Sequence, residues 1–169
     1  SIDPVEPEKG QAAVKRSPLG TEIFRFAEVP YYETRRDASF VPGIQMRVVS
    51  PRTWLRITTL EQTLLDTLLQ PIRCGGEAVI MEAWENGLKE MDADRMTEHL
   101  SKIQREDLER RVAAILDLNG VDMVATSLGQ RLHRLRGRLA ASAQEIPEIP
   151  LLPGFHFPNS SQDWNVRIP

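Results

Sequence analysis

The stretch Thr58-Thr59-Leu60-Glu61-Gln62-Thr63-Leu64-Leu65-Asp66-Thr67-Leu68-Leu69-Gln70-Pro71 decides how this chain folds. Upstream of it apolar residues alternate; within it they recur at helical spacing. Leu60, Leu64, Leu65, Leu68 and Leu69 fall on one side of a helix, so the spacing predicts a helix with Leu64 and Leu68 in the core. Thr58 and Glu61 have the spacing of a capping box, in which a hydroxyl and a carboxylate satisfy the free N–H groups of a helix start. Pro71 ends the helix. Asp66 lies on its polar side and is expected to face a polar partner or solvent.

Toward the N-terminus, Trp54, Leu55 and Ile57 predict one short strand. Ile44, Met46 and Val48, alternating with Gln45 and Arg47, predict another, half-buried. Pro42-Gly43 signals a turn, and polar Tyr31 to Phe40, with Arg35 and Arg36, reads as a loop. Ile23, Phe24, Phe26 and Val29 predict a strand ending at Pro30. Residues 1–20, with Pro4, Pro7, Gly10, Pro18 and Gly20, read as a linker or arm, and residues 21–169 as one domain.

Toward the C-terminus, Gly75-Gly76 reads as a hinge before a helix from Glu77 to Met91, with Val79, Ile80, Ala83, Trp84 and Leu88 inward. Asp92 or Asp94 caps a third helix with Met96, Leu100 and Ile103 inward. A fourth helix carries Leu108, Val112, Ile115 and Leu116 and stops at Asn119-Gly120. Val121, Val124, Leu128, Leu132, Leu135 and Leu139 belong to a fifth. Four prolines from Pro147 to Pro158 then keep the chain extended. The alternation of Trp164, Val166 and Ile168 predicts a closing strand that returns to the N-terminal sheet. The sum is an α+β fold: a small mixed or antiparallel sheet of the N-terminal strands plus a C-terminal strand, packed with about five helices.

Composition bounds the function. A hydrophobic fraction of 41% and a charged fraction of 27% are those of a globular protein. No apolar run has membrane-spanning length. Cys74, the single cysteine, allows no internal disulfide and fits a reducing, cytoplasmic setting. The net charge of -3 combines +2 over residues 1–58, -6 over 59–118 and +1 over 119–169. A nucleic-acid module carries a larger basic excess, so strong DNA binding by this chain is not expected.

Candidate chemistry is sparse. His99, His133 and His156 lie far apart and pair with no ligand at metal-binding spacing; they read as surface or rim histidines. Cys74 has no base beside it in sequence. Gly75-Gly76 could offer N–H groups to a phosphate but fits a tight turn better. Glu82, Glu85, Glu90, Asp92 and Asp94 read as a solvated face. No catalytic residue, cofactor site or metal site is assigned. The candidate partner-binding residues are Arg131, Arg134 and Arg138, which cluster beside the leucine stripe of the fifth helix and could meet phosphates or an acidic protein. The same arginines would also serve ordinary solubility.

The segment Thr58–Asp66 resembles the strand-to-helix signature of the C-terminal domain of AbiEi-type antitoxins, of type IV toxin–antitoxin systems. That signature looks like Ser/Thr-x-x-Glu-x-Thr-Leu-Leu-Asp, followed by a helix break and a Gly pair. Thr58, Glu61, Thr63, Leu64, Leu65, Asp66, Gly75 and Gly76 carry the resemblance. It extends more loosely over residues 22–169, the tail Trp164-Asn165-Val166-Arg167-Ile168 being similar to the family's closing strand. The resemblance implies an antitoxin effector domain, not an enzyme, which counters a nucleotidyltransferase-like toxin. The family places a winged helix-turn-helix ahead of this domain. This sequence does not show one, so operon regulation is expected only through such a DNA-binding domain. The alternative is a ligand-sensing or dimerisation domain of a transcriptional regulator.

Overall fold

The computed structural model describes residues 19–142 and 145–169. Most of the expected N-terminal arm therefore lies outside the described residues. The chain divides into two units, Ser1–Arg35 and Arg36–Pro169. The division falls inside the region that the sequence assigned to one domain beginning at residue 21.

The first unit holds an antiparallel hairpin of β1 (Thr21–Phe26) and β2 (Val29–Glu33). The sequence predicted one strand here and a loop from Tyr31. The turn residues Ala27 and Glu28 both have positive φ, and neither is the Gly or Asn that usually marks a two-residue hairpin turn. The chemical signal for the turn is missing from the sequence.

The second unit begins with a hairpin of β3 (Ile44–Ser50) and β4 (Thr53–Thr58). Five helices follow: α1 (Leu60–Leu69), α2 (Glu77–Gly87), α3 (Ala93–Ile103), α4 (Glu106–Leu118) and α5 (Ser127–Ala141). The chain closes with β5 (Ile149–Pro150), β6 (Asn159–Ser161) and β7 (Val166–Ile168). The α+β class holds among the described residues, but the sheet does not form as predicted. β7 pairs with β5 in parallel and with β6 antiparallel, and makes no ladder with the N-terminal strands.

Packing radiates from α1. Leu64, Leu65 and Leu68 are buried with Ile80 and Trp84 of α2, Met96 and Leu100 of α3, Leu108, Val112 and Ile115 of α4, and Leu128 and Leu135 of α5. Trp84 donates its indole N–H to Thr67 Oγ1 at 3.0 Å, so the buried ring has a partner. Several expected boundaries move. α2 stops at Gly87, and Val79 is exposed. Asp92 caps α3, accepting from the N–H groups of Asp94 and Arg95. Thr126 caps α5, leaving Val121 and Val124 in the preceding loop, where Val124 is exposed.

The tail is a working part of this core. Leu151, Leu152, Phe157, Trp164 and Val166 are buried. Two arginines of α4 hold it there. Arg110 donates to the carbonyls of Pro147, Trp164 and Asn165, and Arg111 donates to that of Pro150. Trp164 in turn donates its N–H to Asp117 Oδ2 at 2.6 Å. Burial lowers the pKa of both guanidinium groups; Asp107, 3.1 Å from Arg111, works against that loss. Short extended chain exposes carbonyls that need donors, and the two arginines supply them where a longer sheet would otherwise do so.

Candidate interaction surfaces

The signature segment builds an internal lock. The cap of α1 is Thr59, not Thr58: its Oγ1 accepts the N–H of Gln62 at 3.2 Å. Thr58 meets Thr63 hydroxyl to hydroxyl at 2.8 Å, and Thr63 Oγ1 donates to the Thr59 carbonyl. Gln62 is fully buried; its Oε1 accepts the N–H of Gly43, while its Nε2 donates to the Phe40 carbonyl and to Asp66. Asp66 receives both guanidinium arms of Arg36, each at 2.7 Å. Such a fork fixes geometry as well as charge. Glu61 has no part in the cap. Only 1% exposed, it accepts the N–H of Asp92 at 3.1 Å and lies 3.5 Å from Arg95, tying α1 to the start of α3.

His99 also departs from its expected rim position. It is 4% exposed, with Nε2 3.1 Å from Thr59 Oγ1. Burial lowers its pKa, against the opposing pull of Glu61 and Glu98. Thr59, His99 and Glu61 thus bring a hydroxyl, an imidazole and a carboxylate together, the residue types of nucleophilic catalysis. Their surroundings assign them to structure. The Thr59 oxygen is engaged as a cap, and the backbone of Gly43 closes over the group. A Cβ at Gly43 would stand 2.3 Å from His99 Nε2 and 2.7 Å from Gln62 Cβ, so no substrate atom has room there. Cys74 is half-buried, and burial followed by the Asp66 charge raises its pKa, which disfavours the reactive thiolate. Gly75 and Gly76 both have φ of +87°, the left-handed turn that glycine permits.

The arginines of α5 do not form one free patch. Arg131 reaches across to Ser101 of α3 and to buried Glu109 of α4, both at 2.7 Å, and is a tie between helices. Arg138 lies 3.8 Å from Glu106, with both side chains exposed. Arg134 is exposed and forms no ion pair among the described residues. Beside it, Val124, Gly129, Gln130, His133 and Arg134 line an open cavity of about 420 Å³. His133 and His156 are exposed, as expected.

A further outward feature is β3, which the sequence predicts as a half-buried strand. All seven residues of β3 are exposed. Residues opposite one another across an antiparallel pair share a face. Val48 stands opposite Trp54, Met46 opposite Arg56 and Ile44 opposite Thr58. One face of the hairpin therefore shows Ile44, Met46, Val48 and Trp54 at 44%, 56%, 54% and 59% exposure. Its base is fixed to the lock: the Thr59 N–H donates to the Gly43 carbonyl at 2.9 Å, and the Gly43 N–H donates to Gln62. One sequence signal could have found this surface. Residues 44–58 contain Arg47, Arg52 and Arg56 and no acidic residue.

The second unit is an α+β fold that presents an apolar, basic hairpin mounted on a buried polar lock. No family model, curated protein or solved structure matches the chain. Among the described residues, no group of His, Cys, Asp and Glu is arranged to hold a metal ion, and no helix is long and apolar enough to cross a membrane.

Proposed function

We propose that this chain is the effector and interaction domain of an antitoxin of a bacterial type IV toxin–antitoxin system. It acts in the cytoplasm as a binding protein, not as an enzyme, and counters a nucleotidyltransferase-like toxin. It assists operon autoregulation when joined to a DNA-binding domain. The observation that carries this reading is the exposed apolar face of β3–β4, since a contiguous apolar patch on a folded domain marks an interaction site. The signature at Thr58–Asp66 supports the antitoxin assignment. Within that segment, Thr59 and Gln62 hold the base of the hairpin against α1 through Gly43.

Co-expression with the toxin encoded beside its gene tests the reading. The wild-type chain should restore growth, and Met46→Ser/Trp54→Ser should fail to do so at equal protein level. Growth arrest that wild-type protein leaves unchanged would sink the assignment. The cavity beside Arg134 favours the alternative, a ligand-sensing regulator domain, because about 420 Å³ falls within the range of small-molecule sites. That reading requires a metabolite that raises the melting temperature of wild type and not of His133→Ala/Arg134→Ala, two exposed positions that line the cavity.

A further inference from the structure

We infer that the β3–β4 hairpin docks an extended, acidic and apolar segment of a partner protein, which adds as a strand to one of its open edges. The inference rests on the interaction-domain reading and names the chemistry of the partner. Three features of the hairpin converge on it. A two-stranded sheet leaves an unpaired row of N–H and C=O groups on each outer side, a ready template for a further strand. The apolar face of Ile44, Met46, Val48 and Trp54 offers contact for alternate side chains of that strand. The charge of the hairpin is of one sign: Arg56 shares the apolar face, opposite Met46, Arg52 lies in the turn, and Arg47 stands on the other face, opposite Leu55. None forms an ion pair among the described residues, and residues 44–58 supply no carboxylate.

The arginines separate this occupant from its rivals. Elsewhere in the second unit, Arg36, Arg95, Arg105, Arg111, Arg131, Arg136, Arg138 and Arg167 all have carboxylate partners within 4 Å. The hairpin's three do not. Arg134 on α5 is likewise without one, but on the hairpin three such arginines stand within one pair of strands, and an acidic segment complements them. A second copy of the hairpin would set arginine against arginine, and like charges across an interface disfavour the pairing. Duplex DNA would meet the arginines but leave four large apolar side chains facing phosphate and water.

The test uses the whole chain and the emission of Trp54. Trp84 and Trp164 are buried, so Trp54 is the tryptophan whose environment changes when the hairpin is covered. The probes are two short synthetic peptides with leucine at every second position, one with glutamate between and one with lysine. The leucine–glutamate peptide should shift the emission to the blue. Its affinity should fall at least several-fold as salt rises to about 1 M, where the Debye length is about 3 Å. The leucine–lysine peptide should leave the emission unchanged. Arg47→Glu/Arg52→Glu/Arg56→Glu should exchange the two preferences, with an unaltered melting curve showing that it folds. Equal response to both peptides would overturn the inference. So would sedimentation showing self-association that Trp54→Ser abolishes, or a shift produced only by duplex DNA or anionic phospholipid vesicles. The two proposals fail separately. Toxin binding that survives arginine reversal removes this inference and leaves the antitoxin reading; peptide selectivity without toxin rescue does the reverse.

Discussion

The β3–β4 hairpin and helix α1 are neighbours in the chain, share one polar lock, and have opposite fates. Each shows a clear apolar period in the sequence. In α1 the period marks a buried face, with Leu64, Leu65 and Leu68 excluded from solvent. In the hairpin the same kind of pattern marks a face that remains exposed. Periodicity reports which side chains share a face; whether another layer covers that face depends on the rest of the fold. For α1 the layer is α2, α3 and α4. A large apolar face left open on an otherwise well-packed unit is the kind of surface that interaction sites present, and a partner for it is what we propose.

Stability measurements give the sharpest contrast. Leu64→Ala should cost about 2–5 kcal/mol in equilibrium unfolding, because it leaves a cavity among α1, α2 and the other helices. Met46→Ala, which also removes apolar atoms, should stay within about 0.5 kcal/mol of wild type, as exposed positions do. Equal losses at the two sites would mean that the hairpin face is covered after all.

The next largest effect lies in the tail. Arg110→Ala removes the donor for three carbonyls and should cost about 1–3 kcal/mol. Amide exchange should rise first in β5, β6 and β7, while α1 keeps its protection. Uniform exchange across the unit would show that the arginine does more than hold the tail.

A smaller effect should follow pH through His99. Its pKa in the folded chain lies below the ordinary value of about 6.5 because burial disfavours the imidazolium. The unfolded chain therefore binds a proton first as pH falls. Stability is complete above about pH 6.5 and is lost as pH drops toward the folded value. Melting temperatures of wild type and His99→Gln, compared between about pH 7.5 and pH 5, should show the steeper decline in wild type. Parallel curves would contradict the buried, neutral histidine.

Much of the helical part was legible. The leucines of α1, the Asp92 cap, the inward Met96, Leu100 and Ile103, and the stop at Asn119-Gly120 follow from local spacing and capping chemistry. The errors share a cause in long-range partners. Glu61 has the spacing of a capping residue, but its partners, Asp92 and Arg95, come from another helix. His99 stands three residues after Met96 and four before Ile103, so helical spacing marks it as inward; what the sequence does not show is its polar partner, Thr59, forty positions away. Arg131 looks like Arg134 on a helical wheel until Glu109 and Ser101 are in place. Arg110 and Arg111 are hidden in the sequence because Glu106, Asp107 and Glu109 beside them make the stretch resemble a solvated, charged helix face. The closing strand was recognised, but its partners were not, since a three-residue strand specifies its neighbour weakly.

The central claim is that the hairpin is open in the free chain and covered by a partner. Iodide quenching of Trp54, isolated as the difference between wild type and Trp54→Phe, measures both states. The account predicts strong quenching of Trp54 in the free chain and protection on addition of the neighbouring-gene toxin. A Trp54 already shielded in the free chain, or one still fully quenched with the toxin bound, would contradict it.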